Sequence, residues 1–148
     1  MPSTFLALHY HIVFSTKDRV PFISPEWQTR LHEYLGGTAN RLGGFSQGVG
    51  GIADHVHLLV GLKATHCLAD FMRELKKASS VWVHDEIKVP KFAWQEGYGA
   101  FTVSPPARPN VQRYIANQEE HHRVKSFREE LQQFLIAAGV EYEDRYLD

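Results

Sequence analysis

Cysteine is nearly missing from this chain: Cys67 is the only one in 148 residues. No internal disulfide framework can form, and a thiolate zinc site lacks its second sulfur. A lone thiol suits a reducing compartment, so the cytoplasm is the expected location. Long hydrophobic runs are missing too. The longest are of strand length, and no membrane span is expected. The opening Met1-Pro-Ser-Thr-Phe-Leu-Ala-Leu8 has neither the basic region nor the full apolar region of a secretory signal. Repeats, low-complexity tracts and signs of a second domain are also absent. Residues 1–148 therefore read as one domain, long enough to bury a real core.

Neither sign of charge is in excess. A formal net charge of −1 gives no global argument for nucleic acid. The distribution says more. From Glu129 onward there are six acidic residues and one basic residue, Arg145. Subtracting these from totals of 17 and 16 leaves 11 acidic against 15 basic residues in 1–128, or +4. Basic residues gather at Lys17 and Arg19, at Arg73, Lys76 and Lys77, and from Arg108 to Arg128. Such clusters can contact phosphates locally, although from charge alone a mixed solvated surface is the better expectation.

The aromatic and β-branched run 5–15 predicts a strand. Ser24-Pro25 marks a helix start, with Trp27, Leu31, Tyr34, Leu35, Thr38 and Leu42 on its apolar side. Gly36-Gly37 weakens this helix and Gly43-Gly44 ends it. A glycine-rich strand pair is expected at about 45–52 and 55–62. The next helix, 68–87, places Leu68, Phe71, Met72, Leu75, Ser79 and Trp82 at core spacing. Residues 92–104 predict a fourth strand. Beyond the stiff Pro105-Pro106-Ala107-Arg108-Pro109 connection, a helix carries Tyr114 and Gln118. It either continues or restarts through Phe127–Ala138, and Gly139 stops it. The order β-α-β-β-α-β-α predicts an α+β, ferredoxin-like (split βαβ) antiparallel sheet. Helices lie on one face, with a C-terminal helix carrying the tyrosine.

The most informative run is Asp54-His-Val-His-Leu-Leu-Val60. Alternation on a strand puts His55 and His57 on one face, where two imidazoles can close on one divalent ion. On a helix, Tyr114 and Gln118 are i and i+4 and share a face. His121 and His122 follow a turn later, so the spacing alone leaves a histidine as well as Gln118 open for a third ligand. Each signal alone suits ordinary hydrogen-bonded histidines or a packed tyrosine. Together they supply the parts of a nucleophilic phosphodiester-cleaving site.

Asp54–Val60, Trp94–Ser104 and Tyr114-Ile-Ala-Asn-Gln-Glu-Glu-His-His122 resemble signatures of the HUH single-tyrosine transposases. These are the insertion-sequence-200-like group and its REP-associated relatives. Tyr10-His-Ile-Val-Phe-Ser-Thr-Lys17 and Glu141-Tyr-Glu-Asp-Arg-Tyr-Leu147 are similar as well, so the resemblance spans nearly the whole chain. It implies that His55, His57 and Gln118 bind the metal, Mg²⁺ or Mn²⁺, and that Tyr114 is the nucleophile. It further implies cleavage and rejoining of single-stranded DNA through a 5′-phosphotyrosine, with hairpins at the element ends recognised. A homodimer is implied as well, in which the tyrosine helix of one subunit can complete the site of the other. A domesticated REP-associated nuclease is the alternative within the family.

Two rivals stand outside it. A histidine-triad nucleotide hydrolase needs a third alternating histidine where Leu59 stands. A noncatalytic nucleic-acid-binding module on the same scaffold gives no reason for His55, His57, Tyr114 and Gln118 together. Trp94, Tyr98 and Phe101 are candidates for base stacking, although core packing is the better expectation for at least two of them.

Overall fold

A computed structural model describes residues 3–147. Strand β1 (His9–Ser15) leads through a 3₁₀ turn to helix α1 (Pro25–Arg41). Strands β2 (Phe45–Ile52) and β3 (His55–Gly61) form a hairpin. Helix α2 (Leu68–Trp82) precedes strand β4 (Gly99–Val103). Helices α3 (Arg108–Ala116), α4 (Gln118–His121) and α5 (Phe127–Ala138) follow. The sheet order is β2-β3-β1-β4, antiparallel throughout. This is the ferredoxin-like arrangement.

The pleat divides the sheet chemically. Ile12 and Phe14 of β1 share one face with Val56, Leu58 and Val60 of β3. Against them pack Leu31 and Leu35 of α1 and Phe71, Met72 and Leu75 of α2. On the opposite face lie His11, His55, His57 and Leu59, and α3 lays Ile115 against Leu59 and Val103 there. Successive strand residues alternate between faces, so one seven-residue strand serves both a dry core and a polar site.

Several boundaries differ from those predicted. The first strand begins at His9 rather than residue 5, and Phe5 and Leu6 are exposed. The α-helix α2 ends at Trp82, and Val83–Ile87 continue as a π turn that closes at Lys88, whose φ is 65°. The fourth strand is confined to Gly99–Val103. Before it, Gly97 takes a positive φ and only a single bridge, Thr16 to Trp94, extends the pairing. The Lys76 ammonium donates to the carbonyl oxygens of Gln95 and Gly97 and fixes that irregular stretch in place of strand pairing. Ser24 precedes α1 as predicted but makes no capping hydrogen bond through its side chain. Ser126 does cap α5, in a reciprocal box with Glu129, and Gly139 ends that helix at φ 69°.

The tyrosine-bearing helix is interrupted. Asn117 leaves helical geometry (φ −102°, ψ 25°), so α3 ends at Ala116 with Tyr114 in its last turn, and Gln118 opens α4. The predicted i,i+4 relation survives locally: the Gln118 amide donates to the Tyr114 carbonyl at 3.3 Å.

Candidate active site

His55 and His57 are fully buried on the central strand β3. His57 Nδ1 lies 2.7 Å from His11 Nε2 on β1. His55 Nδ1 lies 2.8 Å from Asp54 Oδ1. His122, in the turn after α4, directs Nδ1 to the Lys125 carbonyl at 2.6 Å. In each imidazole Nδ1 is engaged outward, which leaves Nε2 pointing to a common centre. Outer partners of this kind fix the tautomer of a metal-ligating histidine.

Acceptor oxygens occupy that centre. Glu130 Oε1 lies 2.9 Å from His57 Nε2, 3.3 Å from His122 Nε2 and 3.5 Å from His55 Nε2. Gln118 Oε1 lies 3.1 Å from His55 Nε2 and 3.0 Å from His122 Nε2. Nε2 lone pairs and carboxylate oxygens repel one another unless protons or a cation lie between them. His55, His57, His122 and Glu130 each offer a ligand atom, all within 4.8 Å of one another. An imidazole and oxygen donor set of this kind fits a divalent ion.

Tyr114 joins the same carboxylate. Its hydroxyl donates to Glu130 Oε2 and lies 3.0 Å from His121 Nε2. Burial and then the Glu130 carboxylate hold the phenol well above its ordinary pKa. Burial opposes charge on His55, yet its contacts with Asp54 and Glu130 outweigh that and push its pKa up to about 9. Burial lowers His57 despite Glu130. His11 is lowered to about 3 by burial and then by His57, and is neutral at pH 7. Burial penalises the Glu130 carboxylate, but hydrogen bonds from His122, His55 and His57 hold it far below the usual carboxylate range.

All four residues singled out from the sequence thus meet: His55 and His57 from β3, Tyr114 from α3 and Gln118 from α4. His122, one of the two histidines that spacing left open as a third ligand, joins them, and Glu130, Asp54 and His11, which were not singled out as site residues, complete the cluster. Glu130 left a signal. It stands three residues after Phe127 and four before Phe134, so an acid lies on the apolar stripe of an amphipathic helix. His11 shares its face of β1 with Val13, which a buried polar partner explains. Of the aromatic residues considered for base stacking, Trp94 packs against Phe14 and Phe92 and donates to Ser79 Oγ at 2.9 Å. Phe101 stacks on Phe134. Tyr98 alone of the three is exposed, with Lys76 Nζ over its ring.

A four-stranded antiparallel sheet, with two histidines on its central strand facing a tyrosine on a C-terminal helix, defines a single-tyrosine transposase fold. The chain matches the family described as "Transposase IS200 like" over residues 4–118, and it belongs to that family. It is 28% identical over 119 residues to the ISDra2 transposase TnpA of Deinococcus radiodurans. That similarity covers 76% of this chain and 85% of that protein. The crystal structure of a transposase from Deinococcus radiodurans R1 is similar at a TM-score of 0.62 and 29% identity, covering 80% of this chain and 96% of that one. A REP-associated tyrosine transposase bound to a REP hairpin gives a TM-score of 0.58, covering 82% and 74%. At 11% identity that likeness concerns the fold. Among the described residues, no helix is long and apolar enough to cross a membrane.

Proposed function

We propose that this chain cleaves and rejoins single-stranded DNA, with Tyr114 as nucleophile and a divalent ion held by His55 and His57 together with Gln118. One observation carries the reading: the Tyr114 hydroxyl and the converging Nε2 atoms meet at a single buried carboxylate. Ordinary packed histidines have no need to share a centre with a tyrosine hydroxyl from another element.

The Tyr114 oxygen attacks phosphorus in line, an O–P bond forms, and the 3′-oxygen of the upstream strand leaves. The product is a 5′-phosphotyrosine and a free 3′-end. Glu130 Oε2 and His121 Nε2 are the acceptors in reach of the phenolic proton. The ester is conserved, so another 3′-hydroxyl can reverse the step and join strands. A bound divalent ion supplies charge that offsets the charge developing on the phosphate oxygens. Several imidazoles in the donor set favour Mn²⁺ over Mg²⁺ in vitro.

The protein's own α3 brings Tyr114 to its own His55 and His57, which supports a site completed within one chain. A homodimer is part of the proposal. Leu6 and Phe45, both exposed, line one hollow beside the edge strand β2 and offer an apolar contact.

The test incubates the protein with single-stranded oligonucleotides from the flanks of its own gene, in Mn²⁺ and separately in Mg²⁺. A protein–DNA adduct that survives denaturation, and that maps to Tyr114, is expected. An adduct on Tyr98 or Tyr142, or strand cleavage without any adduct, would overturn the mechanism.

A further inference from the structure

Resting on the metal-dependent reading above, we infer that Glu130 is a ligand of the divalent ion and the side chain that ties that ion to the nucleophile. The matched family pattern ends at residue 118, and Glu130 lies twelve residues beyond it, on α5. The ligand set of this chain is therefore not confined to the segment that defines the family.

Three observations carry the assignment. First, the two carboxylate oxygens divide their contacts. Oε1 faces His57, His122 and His55, whereas Oε2 faces Tyr114 and His121. A carboxylate that ligates through one oxygen and accepts from a hydroxyl through the other joins a metal to a nucleophile without an intervening group. Second, Glu130 is 1% exposed. Burying a carboxylate is expensive unless opposite charge and hydrogen bonds compensate it, and the groups converging on Oε1 are imidazoles whose other nitrogens are already engaged. A divalent ion would supply that charge directly, in place of the protons the imidazoles otherwise hold toward Oε1. Third, α5 is anchored on both sides of Glu130. Phe127 stacks on His55 with ring centroids 4.3 Å apart. Phe134 packs edge-on against His11 and Tyr114 at 5.1 and 5.7 Å. The carboxylate is thus positioned by aromatic contacts with the very residues it serves.

Gln118 offers a neutral amide oxygen near the same centre, so the two side chains make different predictions. Manganese binding, measured without DNA by the loss of the free-ion EPR signal, separates them. The wild type is expected to bind one Mn²⁺ per chain. Glu130→Gln, with its fold checked by circular dichroism, should weaken binding at least tenfold and by more than Gln118→Ala does. His55→Ala/His57→Ala should abolish it. Wild-type affinity in Glu130→Gln, with binding lost in the double histidine variant, would overturn the role of Glu130 and leave the metal-dependent reading standing. A wild type that binds no Mn²⁺ would overturn both. A crystal of the unaltered protein soaked in Mn²⁺ needs no variant. An anomalous peak within about 2.0–2.3 Å of a Glu130 oxygen is expected. A peak ligated by His55, His57 and Gln118 with Glu130 turned away would refute the assignment.

Discussion

Gly50→Ala probes the seat of the tyrosine helix. Gly50 sits opposite His57 in the β2–β3 pair, on the face that α3 covers. A Cβ there would stand 2.2 Å from the Ile115 carbonyl oxygen and 2.8 Å from Ile115 Cγ2. Carbon–oxygen contacts become comfortable near about 3.3 Å, so α3 would have to lift by about 1 Å. The obstacle is helix backbone, which cannot swing aside as the end of a side chain does. Ile115 is also wedged against Leu59 and Val103. Overpacking of this kind costs about 1–3 kcal/mol, or a fall in Tm of roughly 2–12 °C for a chain of this size. Tyr114 immediately precedes Ile115, so the lift carries its hydroxyl away from the histidines. A misplacement of about 1 Å can lower a rate about 10²-fold. Gly48→Ala is the matched control. It lies on the same strand and face, but its Cβ would meet only Gln112 Cγ at 3.8 Å. Thermal unfolding and the rate of covalent adduct formation, read on denaturing gels, should separate the two variants. If Gly50→Ala behaves as Gly48→Ala does in both assays, α3 is not seated by this contact and the cis arrangement loses its main support.

Tyr114→Phe should abolish the adduct while single-stranded DNA binding, followed by fluorescence anisotropy, persists; loss of the hydrogen bond to Glu130 should cost only about 1–2 kcal/mol. Ser126→Ala removes the capping box that starts α5 and should cost about 1 kcal/mol in urea unfolding. His32, which burial lowers to about 4, should make the fold acid-sensitive. The unfolded chain takes up this proton near pH 6.5 and the folded one only near 4, so stability is full above 6.5 and falls between those values. Discounted for its partial exposure, the loss at pH 4 should be about 1–2 kcal/mol. His32→Gln should remove that share of the acid loss and leave the share due to His11 and Glu130, and an unchanged acid limb in that variant would refute the assignment.

Much of the architecture is legible in sequence because it depends on period. Alternation in Asp54–Val60 gives both the strand and the face shared by His55 and His57. The stripe Phe71, Met72, Leu75, Ser79 gives α2. The late start of the fourth strand has a tertiary cause that no local pattern encodes, whereas the end of the α-helical part of α2 is set by a local i→i+5 turn. Lys76 holds residues 95 and 97 out of the strand, and a π turn extends α2 past Trp82. The sequence marks β2 only as a glycine-rich strand, whereas at Gly50 the missing side chain makes room for a helix arriving sixty-five residues later. Glu130 was hidden for a similar reason. In the sequence it counts toward an acidic C-terminal segment, and only the docking of α5 brings it to histidines more than seventy residues earlier.

The site also depends on the break that interrupts the tyrosine helix. An unbroken α-helix through residues 108–122 would present Tyr114, Gln118, His121 and His122 along one stripe, rising 1.5 Å per residue. Tyr114 and His122 would then stand about 12 Å apart along the axis, too far to share a centre. The departure at Asn117 and the turn after His121 fold that stripe back. The Tyr114 hydroxyl and His122 Nε2 consequently meet the two oxygens of one carboxylate. Irregular backbone after α3 is therefore what gathers the nucleophile and the candidate ligands, and the sheet beneath supplies the fixed face on which they converge.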